Sequence, residues 1–370
     1  MDQIKHFINV ISNPQILFPI IVVIFFFIFP PTSRLLALNK KLKIYNLWTK
    51  RGGIFLFSLL LLFFLFGLTD ANFRSIVSKA DNVPIVGLIF LTVFFLWFSM
   101  KQATENDRRI AEGKPPKEAE NKEKVLVWPD LVYIEFIALI VCSAFLIIWS
   151  VVLQAPLEEP ANPTVSPNPS KAPWYFLGLQ EMLVYFDPWL AGVVFPTVII
   201  IGMMAIPFLD QNKKGSGYFS FEERKMAISI FLFFWLVLWV FLIIVGTFLR
   251  GPNWNFFGPF EYWDIHKLAA LTNINLSELI YMIWFKTSLP KNILLRELGG
   301  FLALILYFGL GPLILAKTFF KNLYAQLGTL KYTFFTVLLL MAAGLPIKMF
   351  LRWAFNIKYI VAIPEFFFNI

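Results

Sequence analysis

The chain has 370 residues, of which 58% are hydrophobic and only 15% are charged, and it contains 44 phenylalanines. Soluble domains carry about 25% charged residues, so this composition excludes an ordinary water-soluble globule and a disordered chain. The net charge of +9 does not indicate nucleic-acid binding, because the basic residues lie between apolar runs, where cytoplasmic loops of membrane proteins carry them. We therefore predict an all-α membrane bundle, since in lipid the backbone groups must hydrogen-bond within their own segment.

The apolar runs predict eight transmembrane helices in chain order. A full span needs about 20 residues, and the shorter runs need flanking residues or tilt to cross. Pro30 and Pro31 are expected to end the first helix and Pro346 the eighth, because proline interrupts helical hydrogen bonding. The runs cover residues 16–29, 54–68, 83–100, 131–153, 188–209, 226–249, 298–316 and 332–347.

The loops between these runs alternate in charge, which predicts their orientation. Four of them hold 20 of the 32 Lys and Arg residues, and the positive-inside rule assigns them to the cytoplasm. Eight spans then place both termini on the non-cytoplasmic side. The four basic loops are 32–52, 101–130, 210–225 and 317–331.

The most hydrophilic stretch predicts the domain organisation. Residues 101–128 contain Gly-Lys-Pro-Pro at their centre and are typical of a linker. We predict a three-span N-terminal extension over residues 1–100, a core over 129–250, and a non-cytoplasmic loop with two further spans over 251–370.

Metal chemistry in this chain is limited by its composition. The single cysteine, Cys142, excludes an iron–sulfur cluster, and no Cys-x-x-Cys-His motif offers covalent haem attachment. The two histidines, His6 and His266, lie outside the apolar runs, so we expect no haem ligand and no metal site. Glu135 lies one turn into the fourth run and is an exception, because ionisable residues are nearly absent from the runs. Uncharged spans argue against a self-sufficient lipid or small-molecule transporter.

The segment after the fourth span is the strongest candidate for function. A proline-rich stretch leads into Trp174 and Tyr175 and then into an apolar run interrupted by Gln180 and Glu181. Its length and pattern predict an interfacial helix. It is either an aromatic belt without chemistry or the wall of a quinone-type pocket in which Glu181 is the acid. The aromatic segment 248–264, expected on the same side, either anchors an interfacial loop or caps that pocket.

On the cytoplasmic side, Pro129 and Asp130 open the fourth span. Proline in a first turn and an acid at a helix N-terminus explain this start structurally. The alternative is a second quinone or proton site formed with Asp130 and Tyr133.

Five motifs together carry a family resemblance. The chain resembles the C-terminal half of cytochrome b, or subunit IV of the cytochrome b6f complex, over about residues 125–250. Segments 174–190 and 248–264 are especially similar to the cytochrome b C-terminal subunits of bacterial menaquinol reductases. The motifs are Pro129-Asp-Leu-Val-Tyr133, Glu159-Pro-Ala-Asn-Pro163, Ser166-Pro167, Trp174-Tyr175 and Pro207-Phe-Leu-Asp210.

The resemblance implies one subunit of a quinol:cytochrome c oxidoreductase, inactive alone, in a bacterial inner membrane. It implies a quinol, most typically menaquinol, bound at a shared site on the non-cytoplasmic face. It also implies partners: a haem b-binding, b6-like subunit, a Rieske iron–sulfur protein and c-type cytochromes, in a complex that dimerises. The haem ligands of the family belong to its N-terminal half, which this chain lacks.

The family signature at the quinol-oxidising site is Pro-Glu-Trp-Tyr, and this chain departs from it. The corresponding residues are Ala172-Pro173-Trp174-Tyr175, so Pro173 stands where the family has its proton-accepting glutamate. By this resemblance Pro173, Trp174 and Tyr175 bind quinol, and Glu181 is the substitute proton acceptor. The alternative is a non-catalytic assembly subunit with the same fold.

Overall fold

The computed structural model describes residues 2–120, 123–153, 160–211, 219–270 and 272–370. These parts contain seven helices long and apolar enough to cross a membrane, and a bent pair, α1 and α2, that makes an eighth crossing if counted as one. The all-α membrane bundle is confirmed. The bent pair is α1 (Asp2–Ile11) and α2 (Pro14–Ile28), and the first two spanning helices are α4 (Lys50–Gly67) and α6 (Val83–Ala111). The others are α7 (Val127–Val152), α9 (Leu190–Leu209), α10 (Phe221–Leu249), α11 (Leu298–Lys317) and α12 (Lys321–Phe355).

Shorter elements connect the spanning helices. The longer ones are α3 (Ser33–Lys41), α5 (Ala71–Val77) and α8 (Trp174–Met182). Short helical turns lie at Ile44–Trp48, Lys117–Ala119, Pro252–Trp254, Leu276–Glu278, Leu279–Trp284, Ile293–Arg296 and Pro364–Phe366. Two two-residue strands, β1 (Ala362–Ile363) and β2 (Phe368–Asn369), pair antiparallel near the C-terminus.

The prediction that Pro346 ends the last helix is wrong. Helix α12 continues through this residue to Phe355. Leu345 and Met349, on either side of the proline, are 2% and 0% exposed. Burial of such side chains stabilises the helix against the loss of one backbone hydrogen bond.

The N-terminal extension packs into the main core. Phe25 and Phe26 of α2 contact Phe233 of α10 with ring centroids 5.6 and 5.5 Å apart, and Phe18 lies 5.4 Å from Phe241. Aromatic pairs at this spacing are attractive beyond the area they bury. Helix α2 therefore belongs to the same packed body as α10.

At the end of the bundle that holds the basic loops, α6 is tied to α10. The α6 helix runs beyond the predicted boundary at residue 100 because its last turns make specific polar contacts. Asp107 accepts hydrogen bonds from the Ser220 hydroxyl and the Glu222 amide, and buried Asn106 donates to the Phe219 carbonyl at 2.8 Å. The contact with Glu222 satisfies one of the free amides at the start of α10, and the other two hold the residues just before the helix.

Helix α1 lies at the end of the bundle opposite the basic loops, and it is an amphipathic helix. It is bent by 77° from α2. Its polar side faces the protein: Lys5 pairs with Asp70 at 2.6 Å, and the Asn9 side chain accepts the Phe260 amide at 2.9 Å. Its apolar residues Ile4, Phe7 and Val10 face outward.

Helix α7 is the least packed spanning helix of the described chain. None of the residues Val132–Val152 is buried, although most are large and apolar. A helix that is hydrophobic all round needs lipid or another chain around it. Its surface is therefore available to a partner subunit.

The C-terminal segment folds back over the junction between α8 and α9. Asp187 accepts a hydrogen bond from Asn369 at 2.9 Å, and Trp189 donates to the Asn369 carbonyl at 3.0 Å. Lys358 donates to the Leu183 carbonyl at 2.9 Å. The last residues thus fix the loop that follows α8.

Candidate functional site

Helix α8 lies in the segment that the sequence singles out, and one of its faces packs on α10. Leu177, Gly178, Glu181 and Met182 are buried. A Cβ built on Gly178 would lie 3.4 Å from the Ile243 side chain, and one on Gly246 would lie 3.3 Å from the Leu177 carbonyl oxygen. The two glycines therefore allow the two helices to approach closely.

Glu181 lies at the centre of a buried ionic cluster. It is 0% exposed, and its two carboxylate oxygens accept from Arg250 Nη2 at 2.6 Å and Arg250 Nε at 2.9 Å. Trp254 Nε1 adds a third hydrogen bond at 3.1 Å. Burial by itself lowers the pKa of Arg250, but the charge of Glu181 outweighs this and the net pKa is raised. The arginine therefore remains a cation beside its carboxylate.

Gln180, the other polar residue inside α8, holds the loop that precedes the helix. Its side-chain oxygen accepts the Ala172 amide at 2.8 Å, and its side-chain nitrogen donates to the Ser170 carbonyl at 2.8 Å. Both backbone partners flank Lys171. The two adjacent polar residues of α8 thus fix its N-terminal loop and, through Arg250, the end of α10.

Lys171 reaches from this loop to the last turn of α10. Its Nζ donates to the Thr247 carbonyl at 2.8 Å and lies 4.8 Å from the centre of the Trp263 ring. Burial, together with the charge of nearby Lys79, lowers the pKa of Lys171 to about 7, while the charges of Asp81 and Glu181 act in the opposite direction. The buried Thr247 Oγ1 and Trp263 Nε1 have no hydrogen-bond partner within the described residues.

The first turn of α8 presents aromatic rings on the surface of the chain. Trp174, Tyr175 and Phe176 are 40%, 49% and 51% exposed. Tyr175 is 5.6 Å from Trp174 and 4.7 Å from Phe176 between ring centroids. Pro173 is the residue immediately before the helix. We call Trp174, Tyr175 and Phe176 the aromatic face.

The second aromatic segment closes over the ionic cluster rather than standing apart. Arg250 and Phe256 form an isolated antiparallel β-bridge, and Asn253 is hydrogen-bonded to Asn168. Gly251 packs so tightly against Phe257 that a Cβ there would lie 2.6 Å from its ring. Segments 160–189 and 248–264 therefore form one structural unit.

The two site candidates of the fourth span, Asp130 and Tyr133, lie at the start of α7 and not in the unit around Glu181. Asp130 accepts the Leu126 amide at 3.3 Å, which is a local contact at the helix start, and Tyr133 is 60% exposed. About 30 Å of α7 separates Tyr133 from Val152 at a rise of about 1.5 Å per residue. Within the described residues, no group of three metal-ligating side chains forms a metal site. Glu159, from the resemblance motifs, lies outside the described residues.

Sequence reasoning missed three members of the site: Lys171, Arg250 and Trp254. The available signal was Glu181 itself, because a carboxylate in an apolar helix requires a cation or several donors. Arg250 is 69 residues away from Glu181 in the sequence, and local spacing does not reveal that contact.

The fold and this unit define a class: a multi-pass helical membrane protein in which a short aromatic helix and a loop are joined through a buried ion pair. Comparison with known families narrows that class. Residues 160–260 match the family model described as cytochrome b (C-terminal)/b6/petD. The match confirms the family suspected from the motifs over this stretch, 101 of the 370 residues, which contains the whole ionic cluster. No solved structure matches the chain.

Proposed function

We propose that this chain is the cytochrome b C-terminal-like subunit of a quinol:cytochrome c oxidoreductase and forms part of its quinol-oxidising site. The observation that carries the proposal is the aromatic face, which lies inside the family-matched stretch and is exposed on the described chain. Flat aromatic rings offer a surface on which a quinol ring packs. The rest of the pocket then comes from a partner subunit.

The site residues of this chain have different roles in the proposal. Pro173, Trp174 and Tyr175 contact the quinol. Glu181, named from the sequence as a proton acceptor, has three donors on its carboxylate. These donors occupy both carboxylate oxygens. We therefore assign Glu181 and Arg250 a positioning role: they hold the aromatic face against α10.

The partner proposed for this chain is a separate haem b-binding subunit of the b6 kind. Support comes from α7, which has no buried residue and precedes the matched stretch. A Rieske-type iron–sulfur protein and c-type cytochromes would accept the electrons. Menaquinol as the quinol, a dimeric complex, a bacterial inner membrane and non-cytoplasmic termini complete the proposal. Asp130 and Tyr133 remain candidates for a second quinone or proton site at the other membrane face.

The test uses the purified complex. Trp174→Ala and Tyr175→Leu should each lower quinol oxidation by about tenfold or more and weaken binding of a quinone analogue, while haem content stays unchanged. Trp284→Ala removes a tryptophan that is 65% exposed and lies outside the matched stretch, so it serves as the control. Normal turnover and analogue binding in both site variants would favour the second candidate function, a structural assembly subunit.

A further inference from the structure

The buried polar groups beside the aromatic face point to a chemistry that the ionic cluster does not provide. Thr247 is 2% exposed, and its hydroxyl and the Trp263 indole nitrogen are both buried without a partner in the described chain. An unsatisfied buried polar group is costly, so such groups usually have a partner when the protein works. Both residues contact Lys171 by other atoms: its Nζ donates to the Thr247 carbonyl at 2.8 Å and lies 4.8 Å from the centre of the Trp263 ring.

Lys171 differs from the other cations of this region in its partners. Arg250 has Glu181 as a counter-ion, and Lys267 has Glu261 at 2.6 Å. Within the described residues Lys171 contacts a carbonyl oxygen and an aromatic ring, and both are neutral. A lysine held in this way can lose its proton at a modest cost.

Quinol oxidation needs a group with this property. Each hydroxyl must give its proton to a base whose pKa lies near the working pH. Pro173 supplies no base, and the Glu181 carboxylate is occupied by three donors. Lys171 is two residues before Pro173 in the chain.

We propose that Lys171 is the proton acceptor of the quinol-oxidising site, and that Thr247 Oγ1 and Trp263 Nε1 complete a small polar site for one quinol oxygen. This inference rests on the function proposed above. The neutral amine takes the hydroxyl proton: the quinol O–H bond breaks and an N–H bond forms. The proton of the second hydroxyl would leave to a base of the partner subunits, and the iron–sulfur and haem centres of those subunits would accept one electron each.

The charged groups around Lys171 provide a route for the proton afterwards. Lys79 and Asp81 lie on the loop between α5 and α6, and Glu181 lies on α8; these three groups influence Lys171 electrostatically. Lys79 and Asp81 pair with each other at 3.3 Å and are more than half exposed. The ammonium can therefore release its proton toward this solvent-exposed pair. Because the pKa of Lys171 is about 7, it can bind and release a proton at neutral pH.

The experiment compares Lys171→Arg, Lys171→Ala and the matched control Lys291→Ala in the purified complex; Lys291 is an exposed lysine outside the matched stretch. Lys171→Arg keeps a charged donor that does not deprotonate at working pH. We expect it to bind a short-chain quinone analogue within about threefold of the unchanged complex. Its turnover should fall at least about 100-fold, a typical size for loss of a general base.

Two further measurements separate proton transfer from structure. The unchanged complex and Lys291→Ala should lose turnover as the pH falls below about 7, whereas the residual turnover of Lys171→Arg should not follow this decline. Added methylamine should restore part of the turnover of Lys171→Ala. The inference is overturned if both Lys171 variants keep normal turnover and the same pH profile while Trp174→Ala abolishes oxidation. If Trp174→Ala also has no effect, the proposed function itself fails.

Discussion

Breaking the ion pair between Glu181 and Arg250 should destabilise the protein strongly, and breaking both halves should cost less than the sum. Glu181→Gln leaves a buried guanidinium without a counter-charge, and Arg250→Met leaves a buried carboxylate. Removing one partner of a buried pair costs about 3–5 kcal/mol. This size is consistent with two arginine hydrogen bonds to a charged group, each contributing about 1.5–3 kcal/mol.

The double variant has no unpaired charge, and the amide introduced by Glu181→Gln still offers an oxygen to Trp254 Nε1. Its cost should therefore be smaller than the two single costs added together, with a coupling free energy of at least about 2 kcal/mol. The assay is a double-mutant cycle on the free energy of unfolding, measured by tryptophan fluorescence in mixed detergent micelles. Lys291→Gln, a charge change at an exposed position outside the pair, is the control. Additivity within about 0.5 kcal/mol, as found for independent sites, would refute the reasoning.

Three further outcomes are expected. Lys171→Met should flatten the pH dependence of the free energy of unfolding. Between about pH 7 and the ordinary lysine pKa of 10.5, the unfolded chain binds a proton at Lys171 that the folded chain does not, so the unchanged protein gains stability as the pH rises through this window. Parallel stability curves for the two proteins would argue against this. Gly300→Ala should loosen the C-terminal segment and raise its hydrogen exchange, because the new Cβ would lie 2.2 Å from the Ile360 carbonyl oxygen, whereas Gly309→Ala meets nothing within 4 Å; equal exchange in the two variants would contradict the packing. A photo-activated benzophenone on Cys142, the single cysteine and an exposed residue of α7, should cross-link to a haem-containing chain in the complex, and lipid adducts alone would show that α7 faces the bilayer.

The sequence predicts the helical fold well because apolar length is what a membrane demands of a helix. The eight apolar runs coincide with the spanning helices and the bent pair. Two boundaries could not be predicted. Helix α6 continues past residue 100 because Asn106 and Asp107 find partners at the start of α10, more than 110 residues away in the chain. Helix α12 continues through Pro346 because its neighbours are buried.

The candidate site was predictable only in part, for a similar reason. The position of α8 and its aromatic face follow from a local pattern around Trp174, and the structure has a helix there. The pairing of Glu181 with Arg250 and the hydrogen bond from Lys171 to the Thr247 carbonyl depend on how α8 lies across α10. Residue spacing within a helix does not encode that crossing.

Helix α1 has a consequence for how the molecule sits in its bilayer. Its apolar stripe turns away from the protein, while Lys5 holds the loop before α5 and Asn9 holds the backbone of Phe260. A helix of this kind rests at the boundary between headgroups and acyl chains. Because Phe260 belongs to the segment that closes over the ionic cluster, α1 connects that cluster to the membrane surface. We therefore expect a thinner or thicker bilayer to act on the ionic cluster through hydrophobic mismatch at α1.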